Sequence, residues 1–182
     1  MLNLPHEIRT PRLRLRRWCR EDRAAFARMN ADARVMEFLP AQLSREESDA
    51  AADRIEAHFE KHGFGLWAVE IPEIISFAGF IGLSIPRFEA HFTPCVEIGW
   101  RLDAQFWNQG YATEGARGAL EFGWKTLGLA ETVSLTVPAN LRSRNVMEKI
   151  GMTRLPEDDF EHPLLPAGHP LSRHVLYRRK RP

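Results

Sequence analysis

Residues 106–124, FWNQGYATEGARGALEFGW, constrain the fold more than any other stretch of the chain. The segment opens with aromatic and amide side chains and continues as a helix whose first turns contain Gly115, Ala116, Gly118 and Ala119. Glycine inside a helix lowers its stability by about 0.5–1 kcal/mol relative to alanine. Small residues at these positions therefore predict that another group approaches the helix backbone closely.

Length and charge favour an ordinary globular chain. With 182 residues, 44% hydrophobic and 27% charged, the sequence is expected to form a single domain over residues 1–182 around one core. The net charge of +1 gives no global basic field, so we expect no nucleic acid partner. The arginines in the stretch 12–17 and the terminal RRKRP are interpreted as solvated surface.

Three features predict a cytoplasmic protein without a membrane partner. The two cysteines lack a CxxC spacing and suit a reducing compartment. The N-terminal stretch carries charges where a signal peptide needs an apolar core. The longest apolar run, residues 74–85, is too short to span a bilayer as a helix.

The order of predicted elements indicates a mixed α/β chain with a central sheet. Alternating or continuous apolar runs predict strands, and apolar residues at helical spacing predict helices. Ser44 and Glu47 form a capping box before one helix, and Gly63 ends it. The predicted strands are 12–18, 66–71, 76–86, 95–102, 132–137 and 173–179. The predicted helices are 19–30, 44–62, the part of 106–124 that follows the loop, and 143–151.

A strand that leads through a glycine loop into a helix is typical of an anion site. The first turn of the helix has unpaired amides and the positive end of the helix dipole, and Gly110 permits close approach by a phosphate. Gly115 and Gly118 would keep side chains out of its way. No Walker loop and no GxGxxG fingerprint is present. A helix packed tightly on the sheet through its small residues is the alternative interpretation, and the loop alone leaves both open.

Two ordered motifs carry a resemblance to a known superfamily. Residues 107–112, WNQGYA, resemble the acyl-CoA loop of the GNAT N-acetyltransferase superfamily, and residues 140–152, NLRSRNVMEKIGM, resemble its second motif. TPRLRLRRW near the start and VEIGWRL before the loop are similar to the branch of ribosomal-protein alanine N-acetyltransferases. The resemblance implies a three-layer α/β (α+β) fold, with a central, mixed, mostly antiparallel twisted sheet of six to seven strands and about four flanking helices.

The resemblance also implies a function and a set of cofactor contacts. The expected reaction moves an acetyl group from acetyl-CoA, as co-substrate, to a primary amine by direct attack in a ternary complex. Backbone groups of the strand end are expected to pair with pantetheine, and the amides of Gln109 to Thr113 to hold the pyrophosphate. Trp107 stands where many members carry Gln or Arg, so phosphate binding is expected to depend on amides and the helix dipole. The implied cofactor-binding residues are Trp100, Arg101, Leu102, Asn108, Gln109, Gly110, Tyr111, Ala112, Thr113, Asn140, Ser143, Asn145 and Lys149.

Glu97 and Ser143 are the predicted catalytic residues. Glu97 shares a strand face with Gly99 and Arg101, and is predicted to accept the amine proton or to bind the amine. Its alternative role is a structural ion pair with a neighbouring arginine. Ser143 is predicted to protonate the departing sulfur, and its alternative role is the N-cap of the following helix.

The remaining charged groups are less specific. Arg142, Arg144 and Lys149 would either reach the cofactor phosphates or form a solvated helix face. His162, His169 and His174 lack a regular ligand spacing, so we expect no metal. The proline-rich loop 158–175 is expected to border the acceptor pocket through residues 159–161.

A different class of protein remains as the alternative. The chain would then be a catalytically silent acyl-CoA-binding sensor or an assembly module. The acceptor, either a protein N-terminal α-amine or a small-molecule amine, is not specified by the sequence. A homodimer formed through edge strands is a further expectation.

Overall fold

The computed structural model describes residues 7–182, which form one large sheet with helices packed against it. Residues 1–6, which begin the segment considered for a signal peptide, lie outside the described residues. The helices are α1 (Asp22–Ala31), α2 (Ala33–Met36), α3 (Arg45–His62), α4 (Tyr111–Lys125) and α5 (Leu141–Lys149). The strands are β1 (Ile8–Arg9), β2 (Arg14–Arg16), β3 (Leu66–Ile71), β4 (Ile75–Ser84), β5 (Glu97–Leu102), β6 (Glu131–Thr136), β7 (Thr153–Arg154), β8 (Phe160–Glu161) and β9 (Arg173–Lys180).

The sheet is mixed and mostly antiparallel, as the resemblance implied. Its strand order is β1-β2-β3-β4-β5-β6-β9-β7, with β8 paired to β9, and the β5–β6 pair is parallel. The nine described strands exceed the expected six to seven because β1, β7 and β8 have two residues each. Strands of that length are too short to show an alternating pattern in sequence.

Local signals located the longer elements well. The capping box at Ser44 and Glu47 is present, and Gly63 ends α3 in the left-handed conformation with φ of 75°. The predicted strand 66–71 coincides with β3. The short helix α2 was missed; the side chain of Asp32 accepts a hydrogen bond from the backbone N–H of Arg34 at its start.

The parallel pair β5–β6 is joined by α4, which crosses over one face of the sheet. Its ladder has a single register pair within the described residues, Glu97 with Val133. One further hydrogen bond joins the two strands, from the Ser134 hydroxyl to the Ile98 carbonyl at 2.9 Å. Beyond it β5 pairs only with β4, so a gap opens between β5 and β6.

The small residues of α4 serve the packing of the helix on the sheet. A Cβ added at Gly115 would lie 2.5 Å from Ile81 Cδ1, and one at Gly118 would lie 3.0 Å from Thr10 Cγ2. These two glycines therefore fit the tight-packing alternative, and the idea that they clear a path for phosphate is corrected.

The opposite face of the sheet is covered in part by α1. Phe80 is adjacent to Ile81 in β4, so its side chain points to the other face. Its ring centroid lies 6.0 Å from that of Phe26 on α1. Because register partners share a face, Arg101 of β5 lies on this α1 side with Phe80, and Glu97 and Gly99 share it.

No helix within residues 7–182 is long and apolar enough to cross a membrane.

Gly82 in the centre of the sheet provides a test of this packing. A Cβ there would lie 2.1 Å from the Gly65 carbonyl oxygen, and that backbone cannot move without disturbing β3. Gly82→Ala is expected to lower the free energy of unfolding by at least about 3 kcal/mol, measured by urea denaturation.

Gly128→Ala is the matched control. No atom lies within 4 Å of its added Cβ, although its φ is +69°. Backbone strain alone is expected to cost about 1–2 kcal/mol there. Equal losses in the two variants would contradict the packing argument.

Candidate active site

The loop before α4 presents unpaired backbone amides to solvent. A turn of 3₁₀ helix at Ala104–Phe106 leads into Asn108, whose φ is 58°, and Gly110, whose φ is 83°. Gly110 is the N-cap residue of α4, and no side chain caps it. The first-turn amides therefore have no partner within the helix and combine with its dipole to favour an anion.

The start of α4 is held by the N-terminal strand region. Glu114 accepts hydrogen bonds from the Thr10 hydroxyl at 2.6 Å and from the Arg12 backbone N–H at 2.8 Å. The guanidinium of Arg12 donates to the other Glu114 oxygen at 2.6 Å and to the Gln109 carbonyl at 3.0 Å. It also lies 4.6 Å from the centre of the Tyr111 ring. The Arg12 guanidinium thus connects the loop to the helix start, and its charge is paired with the Glu114 carboxylate.

Fewer residues of β5 offer free backbone groups to the gap than the sequence implied. Backbone groups alternate along a strand, and the carbonyls of Val96 and Ile98 both bond toward β6. Trp100 therefore presents its N–H and carbonyl to the gap. The Leu102 carbonyl accepts from Trp107 Nε1 at 2.9 Å, which removes it as a free acceptor.

The predicted backbone contact of Arg101 with pantetheine is corrected for a related reason, the direction of its backbone groups. Its N–H and carbonyl point toward β4, so its backbone cannot pair with a group in the gap. Its side chain lies instead on the α1 side of the sheet, over the Phe80 ring at 5.3 Å.

Glu97 lies at the point where the β5–β6 ladder ends, on that same face. The side chain is partly buried, and loss of hydration raises the pKa of its carboxyl to about 7. Among residues 7–182 no cation lies within ion-pair distance of it, so the structural ion-pair alternative is not supported. A carboxyl with a near-neutral pKa can both accept and release a proton at physiological pH.

Space is open beside Glu97. A Cβ added at Gly99 would contact Glu97 Oε1 at 3.9 Å, with no other described atom within 4 Å. Glycine at this position therefore leaves room over the strand between Glu97 and Arg101.

Arg101 has an amide partner and, in the described part of the chain, no carboxylate. Its Nη1 donates to Asn30 Oδ1 over 2.7 Å, and Asn30 Nδ2 donates to the Ser48 hydroxyl over 2.9 Å. Asn30 and Ser48 are fully buried, so α1 and α3 hold this chain of hydrogen bonds rigidly. Loss of hydration lowers the pKa of Arg101 to about 10, well above physiological pH, so it remains charged.

Asn140, rather than Ser143, caps α5. The Asn140 side chain accepts from the Ser143 backbone N–H at 3.2 Å and donates to Thr136 Oγ1 at 3.0 Å. The N-cap alternative for Ser143 is therefore wrong, and part of the hydrogen-bonding capacity that Asn140 was expected to offer a cofactor is used within the protein. Ser143 lies in the first turn, partly exposed, and its hydroxyl has no hydrogen-bond partner in the part of the chain that is described.

The basic residues of α5 mostly contact the protein. Arg142 pairs with Glu37 and covers the Trp107 ring at 4.6 Å. Arg144 donates to the Tyr177 hydroxyl and to the Pro138 carbonyl. Asn145 and Lys149 lie on α5, and their contact with a cofactor stays a prediction.

The loop 158–175 is more ordered than expected. It contains β8, and the buried Phe160 packs 4.8 Å from Phe92. Asp159 pairs with Arg154 and is almost fully buried, so it does not face an acceptor. The rings of His162 and His174 lie 4.9 Å apart. Over the described residues, no three His, Cys, Asp or Glu side chains are grouped as metal ligands would be.

Sequence reasoning missed two residues that shape the site, Arg12 and Asn30. Arg12 belongs to an alternating run of arginines that is typical of a solvated strand, and Asn30 lies near the end of an unremarkable helix. Their positions depend on contacts with distant parts of the chain. Arg12 bonds Glu114, which is 102 positions away, and Asn30 bonds Arg101, which is 71 positions away.

Glu97 makes stability depend on pH. Its pKa is raised from 4.5 to about 7, so the folded state binds the proton more tightly than the unfolded chain. The ionised carboxyl therefore destabilises the fold increasingly between those two values and fully above about pH 7. Glu97→Gln is expected to gain up to about 3 kcal/mol over wild type at pH 8 and little at pH 4.5, measured by urea denaturation. A difference that does not change with pH would show that this carboxyl titrates normally.

Comparison with known proteins identifies the family. The model of the acetyltransferase (GNAT) domain matches residues 12–153. The uncharacterized N-acetyltransferase YnaD of Bacillus subtilis is 31% identical over 162 residues, which cover 89% of each chain. A GNAT-family acetyltransferase from Bacillus anthracis has a TM-score of 0.78 at 26% identity, over 96% of this chain and 98% of the other.

The fold is also shared with the ribosomal-protein branch. The ribosomal-protein-S5-alanine acetyltransferase from Vibrio fischeri has a TM-score of 0.73 at 15% identity, over 96% of each chain. The open β5–β6 pair and the amide-rich start of α4 thus occur in a chain with the sequence and the fold of this family. The protein belongs to the GNAT family of N-acetyltransferases.

Proposed function

We propose that the protein transfers the acetyl group of acetyl-CoA to a primary amine by direct attack in a ternary complex. The single observation that carries the proposal is the gap between β5 and β6, which opens beyond Ile98 and lies in the same crossover as the uncapped start of α4. The gap offers the free backbone groups of Trp100 to the amide-bearing pantetheine arm. The amides from Gln109 to Thr113 would hold the pyrophosphate, and the Arg12–Glu114 pair fixes the Gln109 carbonyl beside them.

Glu97 would remove the proton of the amine. The amine nitrogen attacks the thioester carbonyl carbon, and the carbon–sulfur bond breaks as the amide forms. The proton lost by nitrogen goes to the Glu97 carboxylate, directly or through one water, for which a pKa near 7 is well suited. The Ser143 hydroxyl would donate a proton to the departing sulfur and regain one from water.

The acceptor is a protein N-terminal α-amine or a small-molecule amine. A catalytically silent acyl-CoA sensor or assembly module is the second candidate. It would use the same loop and the same open strand edge, and would bind acetyl-CoA without turnover. Isothermal titration with acetyl-CoA, followed by a thiol-release screen over peptide N-termini and small amines, separates the two.

Gly110→Ala is expected to weaken acetyl-CoA binding at least about ten-fold in isothermal titration. Gly110 has a φ of +83°, and the strain of alanine there would turn the loop amides away from the phosphates. Gly168→Ala is the matched control, because its φ is +79° but it lies in the loop before β9. Equal affinity in the two variants would contradict an anion site at this loop.

Glu97→Gln is expected to lower kcat/KM for the amine by about 10²–10⁴-fold while the acetyl-CoA Kd changes little. The wild-type profile of kcat/KM against pH should rise with a pKa near 7, because only the ionised carboxyl accepts a proton. This rise in kcat/KM with pH should be absent in Glu97→Gln. Glu121→Gln, at an exposed position of α4, is the control and should retain full activity. Ordinary activity in Glu97→Gln would remove Glu97 from the mechanism.

Ser143→Ala is expected to lower kcat by about 10²-fold while the acetyl-CoA Kd changes little, since Ser143 is assigned the proton given to sulfur. An unchanged kcat would remove that role.

A further inference from the structure

Arg101 is a partly buried cation that uses little of its hydrogen-bonding capacity within the described chain. A guanidinium has five N–H donors, and the described structure gives Arg101 one side-chain hydrogen bond, to Asn30 Oδ1. Within residues 7–182 no carboxylate lies within ion-pair distance of it. Charged groups withdrawn from water are normally paired, because leaving one unpaired is costly. The missing partner is therefore a feature that needs an explanation.

Two uncharged groups, the Phe80 ring and the Asn30 amide, cover part of the Arg101 guanidinium. The Phe80 ring lies against the guanidinium at 5.3 Å, and the Ser48–Asn30 hydrogen bond orients the amide oxygen toward it. Neither group neutralises the charge. Such a fixed planar fork matches a carboxylate, which can accept two parallel hydrogen bonds from it.

Arg101 and Glu97 lie on the same face of β5, with Gly99 between them. Their Cα atoms are about 13 Å apart along a strand, a distance that two long side chains and a small molecule can span. The added Cβ at Gly99 meets Glu97 Oε1 alone within 4 Å, so the space over the strand is open. A group of each charge thus lies on the same strand face, on either side of the room left by Gly99, and neither has a partner of opposite charge in the described chain.

We propose that the amine acceptor carries a carboxylate, which binds to Arg101 while the amine lies at Glu97. The acceptor class is then an amino acid or another amine with an anionic end. This inference rests on the proposed function, since it assigns Glu97 to the amine. Under this proposal the side chain of Arg101 determines acceptor specificity. The sequence had implied a different role, a backbone contact with pantetheine.

The test compares amino acids with their primary amides as acceptors. Alanine and alaninamide, and γ-aminobutyrate and its amide, keep the amine and remove only the negative charge. With wild-type protein the carboxylate member of at least one pair is expected to have a kcat/KM at least about ten-fold higher, as for a hydrogen bond to a charged group. Arg101→Met should abolish the ratio, mainly through KM for the acceptor, and leave the acetyl-CoA Kd unchanged.

Two further variants separate substrate binding from a structural role. Asn30→Asp places a carboxylate on Arg101 without changing side-chain size, and should also abolish the preference by occupying the guanidinium. Arg28→Met replaces another arginine of α1 and should keep the preference. Circular dichroism and the acetyl-CoA Kd of each variant show whether it is folded.

The outcomes distinguish the two proposals. Failure of acetyl-CoA to bind, or binding without turnover of any amine, would overturn the proposed enzyme and this inference with it. Turnover of amines in which amides are used as well as acids would overturn the carboxylate inference alone. A preference for acids that survives in Arg101→Met would also overturn it, because the charge would then be recognised elsewhere.

Discussion

The close packing of α4 on the sheet is the constraint on which the rest of the site depends. Gly115 allows the helix to lie against Ile81 of β4, and Glu114 holds the helix start to Thr10 and Arg12. Because α4 connects the two parallel strands, its position sets both the start of the helix and the divergence of β5 from β6. The position of α4 thus aligns its own uncapped N-terminus with the unpaired edge of β5.

The face of the sheet opposite α4 carries two charged groups that lack a partner of opposite charge. Glu97 and Arg101 are both partly buried, and neither is paired with an opposite charge among the described residues. In each case desolvation shifts the pKa toward the neutral form, which is a destabilising contribution to the fold. Local departures from the most stable arrangement are expected at functional sites, where the pairing is left for a substrate to complete. The arrangement therefore agrees with an acceptor site on the α1 side and a cofactor site at the gap between β5 and β6.

Predictions from sequence succeeded where the signal was local. The capping box of α3 and the apolar run of β3 each depend on neighbours a few residues away. The assignment of Ser143 as an N-cap failed because Asn140, three positions earlier, has the same capability and starts the helix sooner. The predicted role of Arg101 failed because the direction of a backbone group depends on register, and a pattern of residue types does not report register.

The sequence by itself determined the family and the order of the longer elements, and it supplied the proposals of an anion site at the loop 107–113 and of Glu97 as the reactive carboxyl. Those conclusions follow from motifs and periodicities that neighbouring residues carry. Only the tertiary structure decided that Gly115 and Gly118 serve packing, that Arg12 lies beside the loop and that Arg101 has Asn30 as its hydrogen-bond partner. Each of these depends on contacts between residues far apart in the chain, and such contacts exist only once the sheet has brought its strands into register.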